Sequence, residues 1–283
     1  MQKNWFITGS SRGLGKSLVA AAVAAGDTVV ATARNPEQIQ KHDRIRALPL
    51  DVTDAEQAKR AIAEAGRIDV VVNNAGQGLL GAFEETTTEQ FDQQIDLNFY
   101  GVVNVTRAAL PQLRAQRSGH IIQISSIGGR LGAPGLSGYQ AAKFAVEGFS
   151  EVLFHELKPL GIRMTIVEPG GFRTDWAGAS MQWAANPIDD YKPVREFRER
   201  VMKRGGYEPG DPDRAAAAIV TLAHSEGDAP LRLPLGSDAY TYLKLVYESN
   251  LAELERTKAI TTSTDFPGEG NAIKDLEKTF DRR

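Results

Sequence analysis

Short apolar runs rich in β-branched residues alternate along this chain with longer stretches whose apolar positions recur at helical spacing. The runs are Trp5 to Thr8, Thr28 to Thr32, Ile45 to Leu50, Val70 to Asn73, His120 to Ser125 and Met164 to Val167. Runs of this kind mark strands buried on both faces, as in a parallel sheet. Helical periodicity occupies Leu14 to Ala25, Ala55 to Glu64, Thr88 to Arg117 and Ser137 to Lys158. Strand and helix in alternation predict right-handed βαβ units, and so an α/β fold with a doubly wound parallel sheet flanked by helices.

The helix breakers agree with these boundaries. Gly26 stops the first helix, and Pro159 with Gly161 stops the one that begins at Ser137. The long run from Thr88 to Arg117 contains Gly101 and Pro111, and a kink is expected near Pro111. Beyond Pro169-Gly170 the period is lost, and residues 175–210 read as a lid over a site, with a short amphipathic helix around 195–200 whose charges form a solvated face. A helix capped at Asp211-Pro212, a last strand at Leu231 to Leu235 and a helix from Ser237 to about Lys258 follow. The 283 residues are expected to form one domain, with 237–283 as a C-terminal helical extension and a polar tail from Thr261.

Composition narrows the partners. A net charge of -3 supplies no general field for nucleic acid or an anionic membrane surface, so any anion must be held locally. The chain has no cysteine and its 4 histidines are scattered, which argues against thiolate chemistry and a metal site. No long apolar stretch reads as a membrane span, and the N-terminus enters a strand without room for an export signal; a cytoplasmic location is the expectation.

Thr8-Gly9-Ser10-Ser11-Arg12-Gly13-Leu14-Gly15 lies between the first strand and the first helix. Glycines there let the backbone approach a pyrophosphate, which then meets the open N–H groups and positive end of the helix. Gly15-Lys16-Ser17 also ends like a nucleoside triphosphate loop, but the glycine such a loop needs earlier is replaced by Ser10. Where a carboxylate would select the ribose 2′-hydroxyl, the second strand ends in Ala33-Arg34-Asn35. Arg34 with Arg12 offers cations to a 2′-phosphate, so NADP(H) is expected over NAD(H). Asp51 and Val52 follow strand three, where the carboxylate either meets an adenine amino group or caps the next helix. Asn73-Asn74-Ala75-Gly76 ends strand four with residues small enough for close ligand approach, or simply forms a turn.

Tyr139 and Lys143 stand i, i+4 on one helix face, where an ammonium would favour the phenolate. Such a pair alone is a common accident. Taken with Thr8 to Gly15, Asn73 to Gly76, Ser125-Ser126 and Pro169-Gly170 in this order, it resembles the short-chain dehydrogenase/reductase family over Lys3 to Leu235. The resemblance implies a Rossmann-like fold and a catalytic set of Asn98, Ser126, Tyr139 and Lys143. In it Tyr139 is the general acid, Lys143 lowers its pKa and holds the nicotinamide ribose, Ser126 steadies the substrate oxygen, and Asn98 holds a water leading to Lys143. It also implies that Pro169, Gly170, Phe172 and Thr174 line the nicotinamide end, and that copies pair as a homodimer or homotetramer. Trp176, Trp183, Phe172 and Tyr240 read as the walls of a pocket for a bulky, apolar ketone or alcohol, or as core. A different class, a catalytically silent NADP(H)-binding regulator on the same fold, has no need of the Asn-Ser-Tyr-Lys set.

Overall fold

The computed structural model describes residues 1–266 apart from 175, 177, 179 and 180. Strands β1 (Asn4–Thr8), β2 (Thr28–Ala33), β3 (Ile45–Pro49), β4 (Val70–Asn73), β5 (Gly78–Leu80), β6 (Gly119–Ile124), β7 (Ile162–Pro169), β8 (Met181–Trp183) and β9 (Arg232–Leu235) are interleaved with eight helices. These are α1 (Gly13–Ala24), α2 (Ala55–Ala65), α3 (Thr88–Ile95), α4 (Gly101–Gln116), α5 (Ser137–Leu157), α6 (Lys192–Arg204), α7 (Pro212–His224) and α8 (Ser237–Thr262). Seven strands form one sheet in the order β3-β2-β1-β4-β6-β7-β9, with every pairing parallel. The chain builds outward from β1 to β3 and then restarts at β4 on the other side of β1. That reversal opens a crevice above the carboxyl ends of β1 and β4, where ligands of open α/β sheets sit.

Apolar side chains on both faces of each central strand force a layer of helices on both sides. Ile7, Val72 and Ile122 face Leu18 and Val19 of α1 and Ile219 of α7. Phe6, Val71 and Ile121 face Ile62 of α2, Val105 and Leu113 of α4, and Leu153 of α5. All the central residues named are essentially without exposure, each contributing about 1.5–3 kcal/mol of apolar burial.

Two features depart from the expected pattern. The run from Thr88 to Arg117 is interrupted by a π turn over Asp96–Tyr100, whereas Pro111 lies inside α4. The cause is local: the Asn98 amide Nδ2 donates to the Gln94 carbonyl at 3.1 Å, inserting a side chain into the helical ladder. The three-residue strands β5 and β8 pair parallel in a separate small sheet, too short for their period to show in the sequence. The chain divides into two compact units, Met1–Tyr242 and Leu243–Arg283. The expected tail lies outside the described residues from 267 onward. Among the described residues no helix is long and apolar enough to cross a membrane.

Two buried polar groups tie this frame together. Asp27, with no exposure, accepts from the Lys3 N–H and from Trp5 Nε1, each at 2.8 Å, and lies 2.7 Å from His224 Nε2 at the end of α7. His120 in β6 sits 3.0 Å from Thr165 Oγ1, and burial, aided by Arg163 and Lys3, pushes its pKa down to about 3 from 6.5. Its imidazole is therefore neutral in the fold and readily protonated in the unfolded chain. The stability this contributes is complete above about 6.5 and is lost as pH falls toward about 3, at about 1.4 kcal/mol per pH unit at most. Urea unfolding between those limits should give a flatter acid limb for His120→Gln than for the parent; equal slopes would show that His120 does not drive the acid loss.

Candidate active site

The loop from β1 to α1 is shaped by backbone that only glycine adopts freely, with φ of 66° at Gly9 and 53° at Gly13. A methyl on Gly15 would sit 2.3 Å from the Gly9 carbonyl oxygen and 2.5 Å from Asn74 Nδ2. Asn74 in turn donates to the carbonyls of Thr8 and Gly9 at 2.9 and 3.1 Å, and Thr8 Oγ1 accepts from the N–H groups of Asn74 and Ala75. Asn74 and Ala75 thus lock the loop from the end of β4. No side chain caps the start of α1, and its first turn carries no acidic residue. The opening N–H groups beside Ser11, Arg12, Gly13 and Leu14 are left to an anion. Arg12 and Arg34 are both exposed beside this loop, with no carboxylate partner among the described residues.

Asp51 is half-buried and accepts from the N–H and hydroxyl of Thr53 at 3.0 and 2.8 Å. Capping of α2 falls to Asp54, which receives the Glu56 and Gln57 N–H groups. The alternative of Asp51 as that cap is thereby removed. Val52 is buried against Gly101.

At the carboxyl ends of β4 and β6 the remaining groups converge. A methyl on Gly76 would lie 2.8 Å from Asn98 Oδ1 and 3.7 Å from Lys143 Nζ, which places all three residues around one point. The π turn aims the fully buried Asn98 there, its Oδ1 accepting from Gln77 N–H and its Nδ2 donating to the Gln77 carbonyl. Lys143, 4% exposed, donates to the Ile124 carbonyl at 2.9 Å and lies 5.7 Å from the Tyr139 ring centre. Ser126 accepts from Gly128 N–H, which fixes its side chain at the mouth of β6, and both Ser126 and Trp176 hydrogen-bond to Tyr139. Ser125 points instead into the interior, with its hydroxyl unpartnered.

Burial pushes Tyr139 up to about 12, against the pull of Ser126 and Trp176. The ammonium is itself pushed down to about 8 by burial, with Glu147 opposing that fall. Such a phenol stays protonated at neutral pH but is a weaker acid, so donation from it depends on a cation that stabilises the phenolate.

Downstream of β7 the loop is organised by a residue the sequence reading missed. Asp238, at the start of α8, accepts from Gly171 N–H at 2.7 Å, and a methyl on Gly170 would strike its carboxylate at 2.3 Å. A helix-start Ser237-Asp238 was the available signal, but its partner is distant in sequence. Pro169 and Gly170 continue β7, Gly170 donating to the Leu235 carbonyl. Phe172 packs on Gly210, while Thr174 lies against Gly13 of the nucleotide loop. Among the expected pocket aromatics, the Trp176 ring centre lies 5.4 Å from that of Tyr139, Trp183 lies under the Arg198 guanidinium at 4.7 Å, and Tyr240 is exposed. Among the described residues no group of three or more His, Cys, Asp or Glu is arranged to hold a metal ion.

A doubly wound sheet with a glycine loop at the end of β1 and a Ser-Tyr-Lys cluster at the end of β6, two strands away, defines a dinucleotide-type oxidoreductase scaffold. Residues 3–185 match the family model described as short chain dehydrogenase. The chain is 44% identical over 235 residues to a 3-ketodihydrosphingosine reductase of Bacteroides thetaiotaomicron, covering 81% of this chain and 86% of that protein. It is similar to the crystal structure of a short-chain dehydrogenase from Streptomyces avermitilis, with 41% identity, a TM-score of 0.87 and coverage of 93% and 98% of the two chains. It is also similar to an alcohol dehydrogenase from Thermococcus sibiricus complexed with 5-hydroxy-NADP, with 25% identity, a TM-score of 0.69 and coverage of 83% and 96%. This chain belongs to the short-chain dehydrogenase family and is an oxidoreductase.

Proposed function

We propose that the protein is an NADPH-dependent carbonyl reductase and, in reverse, an alcohol dehydrogenase. The observation that carries this reading is the meeting of Asn98 and Lys143 at Gly76, with the Tyr139 ring centre 5.7 Å from Lys143 Nζ and Ser126 beside Tyr139. The residues fit the dinucleotide: the uncapped start of α1 receives the pyrophosphate, Arg12 and Arg34 the 2′-phosphate, and Asp51 with Val52 the adenine. The nicotinamide end falls to Pro169, Gly170, Phe172 and Thr174, the last already against Gly13. When bound, the nicotinamide supplies the hydride. Tyr139 gives its hydroxyl proton to the carbonyl oxygen of the substrate. Ser126 donates a hydrogen bond to that oxygen as negative charge develops. Lys143 steadies the resulting phenolate and returns a proton to it, and Asn98 holds the route by which Lys143 is reprotonated from solvent.

Beside this point Leu80, Leu136, Met181 and Val194, with Trp176 and Trp183 against them, form an apolar cluster. It supports a bulky, apolar ketone as substrate, with residues 175–210 acting as its lid. Outward apolar side chains Tyr100, Phe144 and Val152 support pairing of copies through α4 and α5. The test is loss of NADPH absorbance with a panel of bulky ketones; no turnover of any carbonyl or alcohol would favour the silent regulator. Arg34→Asp is expected to weaken NADPH binding by about 10- to 100-fold through loss of a charge-assisted bond, and to favour NADH relative to the parent. Titration of both cofactors checks this, and an unchanged ratio of affinities would remove Arg34 from the 2′-phosphate.

A further inference from the structure

Behind Lys143, α5 continues its i, i+4 ladder through Glu147 and Glu151. Glu147 is 4% exposed, and Glu168 at the end of β7 has no exposure. Both carboxyls converge on the same two guanidinium nitrogens. Arg130 Nη1 lies 3.2 Å from Glu168 Oε1 and 3.9 Å from Glu147 Oε2. Arg232 Nε lies 3.0 Å from Glu147 Oε2 and 3.4 Å from Glu168 Oε1, while its Nη2 reaches Glu151 at 2.9 Å. Each buried carboxyl keeps one oxygen without a partner, Glu147 Oε1 and Glu168 Oε2. The unpartnered Ser125 hydroxyl is next to them, since a methyl on Gly129 would touch both it and Glu147 Cγ at 2.9 Å.

Two buried carboxyls thus share the same guanidinium nitrogens, and each keeps an oxygen without a partner. Two adjacent buried carboxylates repel each other and are poorly solvated, and a proton on one of them relieves that repulsion. We propose that Glu168 carries a proton at neutral pH and forms with Glu147 a buried acid pair, a positioning device whose charge sets the pH range over which Lys143 remains an ammonium. The groups facing the pair are Arg130 from the turn after β6, Arg232 from β9, and Glu151 and Lys143 on α5 itself. Burial and the neighbouring Glu147 raise Glu168 to about 7 against the opposing pull of both arginines. The charge of Glu147 holds Lys143 up against its own burial. The role of Lys143 rests on the reductase reading; the protonation of Glu168 does not.

Infrared spectroscopy of the parent protein, compared in water and deuterium oxide, should show a protonated carboxyl band at mildly acid pH. It should bleach as pH rises through neutrality and be missing in Glu168→Gln. In the alkaline limb of kcat/KM for ketone reduction, Glu147→Gln should shift the midpoint down by about one pH unit, and Glu168→Gln should shift it down by less. A parent spectrum without the band, or a band unchanged in Glu168→Gln, overturns the acid pair whatever the enzyme turns over. A band that behaves as stated, with an alkaline limb that neither variant moves, overturns the link to Lys143. The titration of the parent stands even where a variant does not fold.

Discussion

Tyr139→Phe is expected to lower kcat for ketone reduction by about 10²- to 10⁴-fold, the usual contribution of a positioned general acid, while NADPH affinity stays nearly unchanged. The substitution removes one oxygen and keeps the ring that lies 5.4 Å from Trp176 and 5.7 Å from Lys143 Nζ. Packing is therefore preserved and the proton is lost. The hydroxyl is held high in pKa by burial, at about 12, so the group starts the reduction protonated throughout the physiological range. Single-turnover measurement with saturating NADPH, beside fluorescence titration of the cofactor, separates chemistry from binding. Turnover at the parent rate would remove the phenol from the mechanism, and a large loss of cofactor affinity would make it a binding residue instead.

Asp27→Ala should be the most damaging single change to stability, at about 3–5 kcal/mol, as for breaking a buried, hydrogen-bonded charge. Alanine strands the Lys3 N–H, the Trp5 indole N–H and His224 at once. Those partners come from the start of the chain at Lys3 and Trp5 and from the last turn of α7, the histidine lying 197 residues beyond Asp27 itself. For a chain of this length such a loss corresponds to a fall in Tm of roughly 10 °C, read by thermal unfolding. A change within about 1 °C would mean that the donors find other partners or that water enters. Asp27→Asn, which keeps acceptor capacity, should recover part of the loss.

The strands of the large sheet were legible because burial on both faces leaves a continuous apolar run, and the helices because one apolar stripe recurs every turn. Glycines and the Tyr139-Lys143 spacing were legible for the same local reason: each requirement is met within a few residues of chain. What could not be read there depends on partners far along the chain. The π turn at Asp96–Tyr100 exists because Asn98 bonds at once to Gln94 and to Gln77 on another segment. Asp238 holds Gly171 from a distance of 67 residues, and Asn74 serves the glycine loop from β4.

Residue order alone determined the doubly wound sheet and the place of the glycine loop between its first strand and first helix, since these follow from short-range periodicity and from chemistry carried on single residues. Only the tertiary structure decided how acidic Tyr139 and Lys143 are. Desolvation is a property of everything packed around a group, and it moves Tyr139 upward to an extent that no local spacing shows.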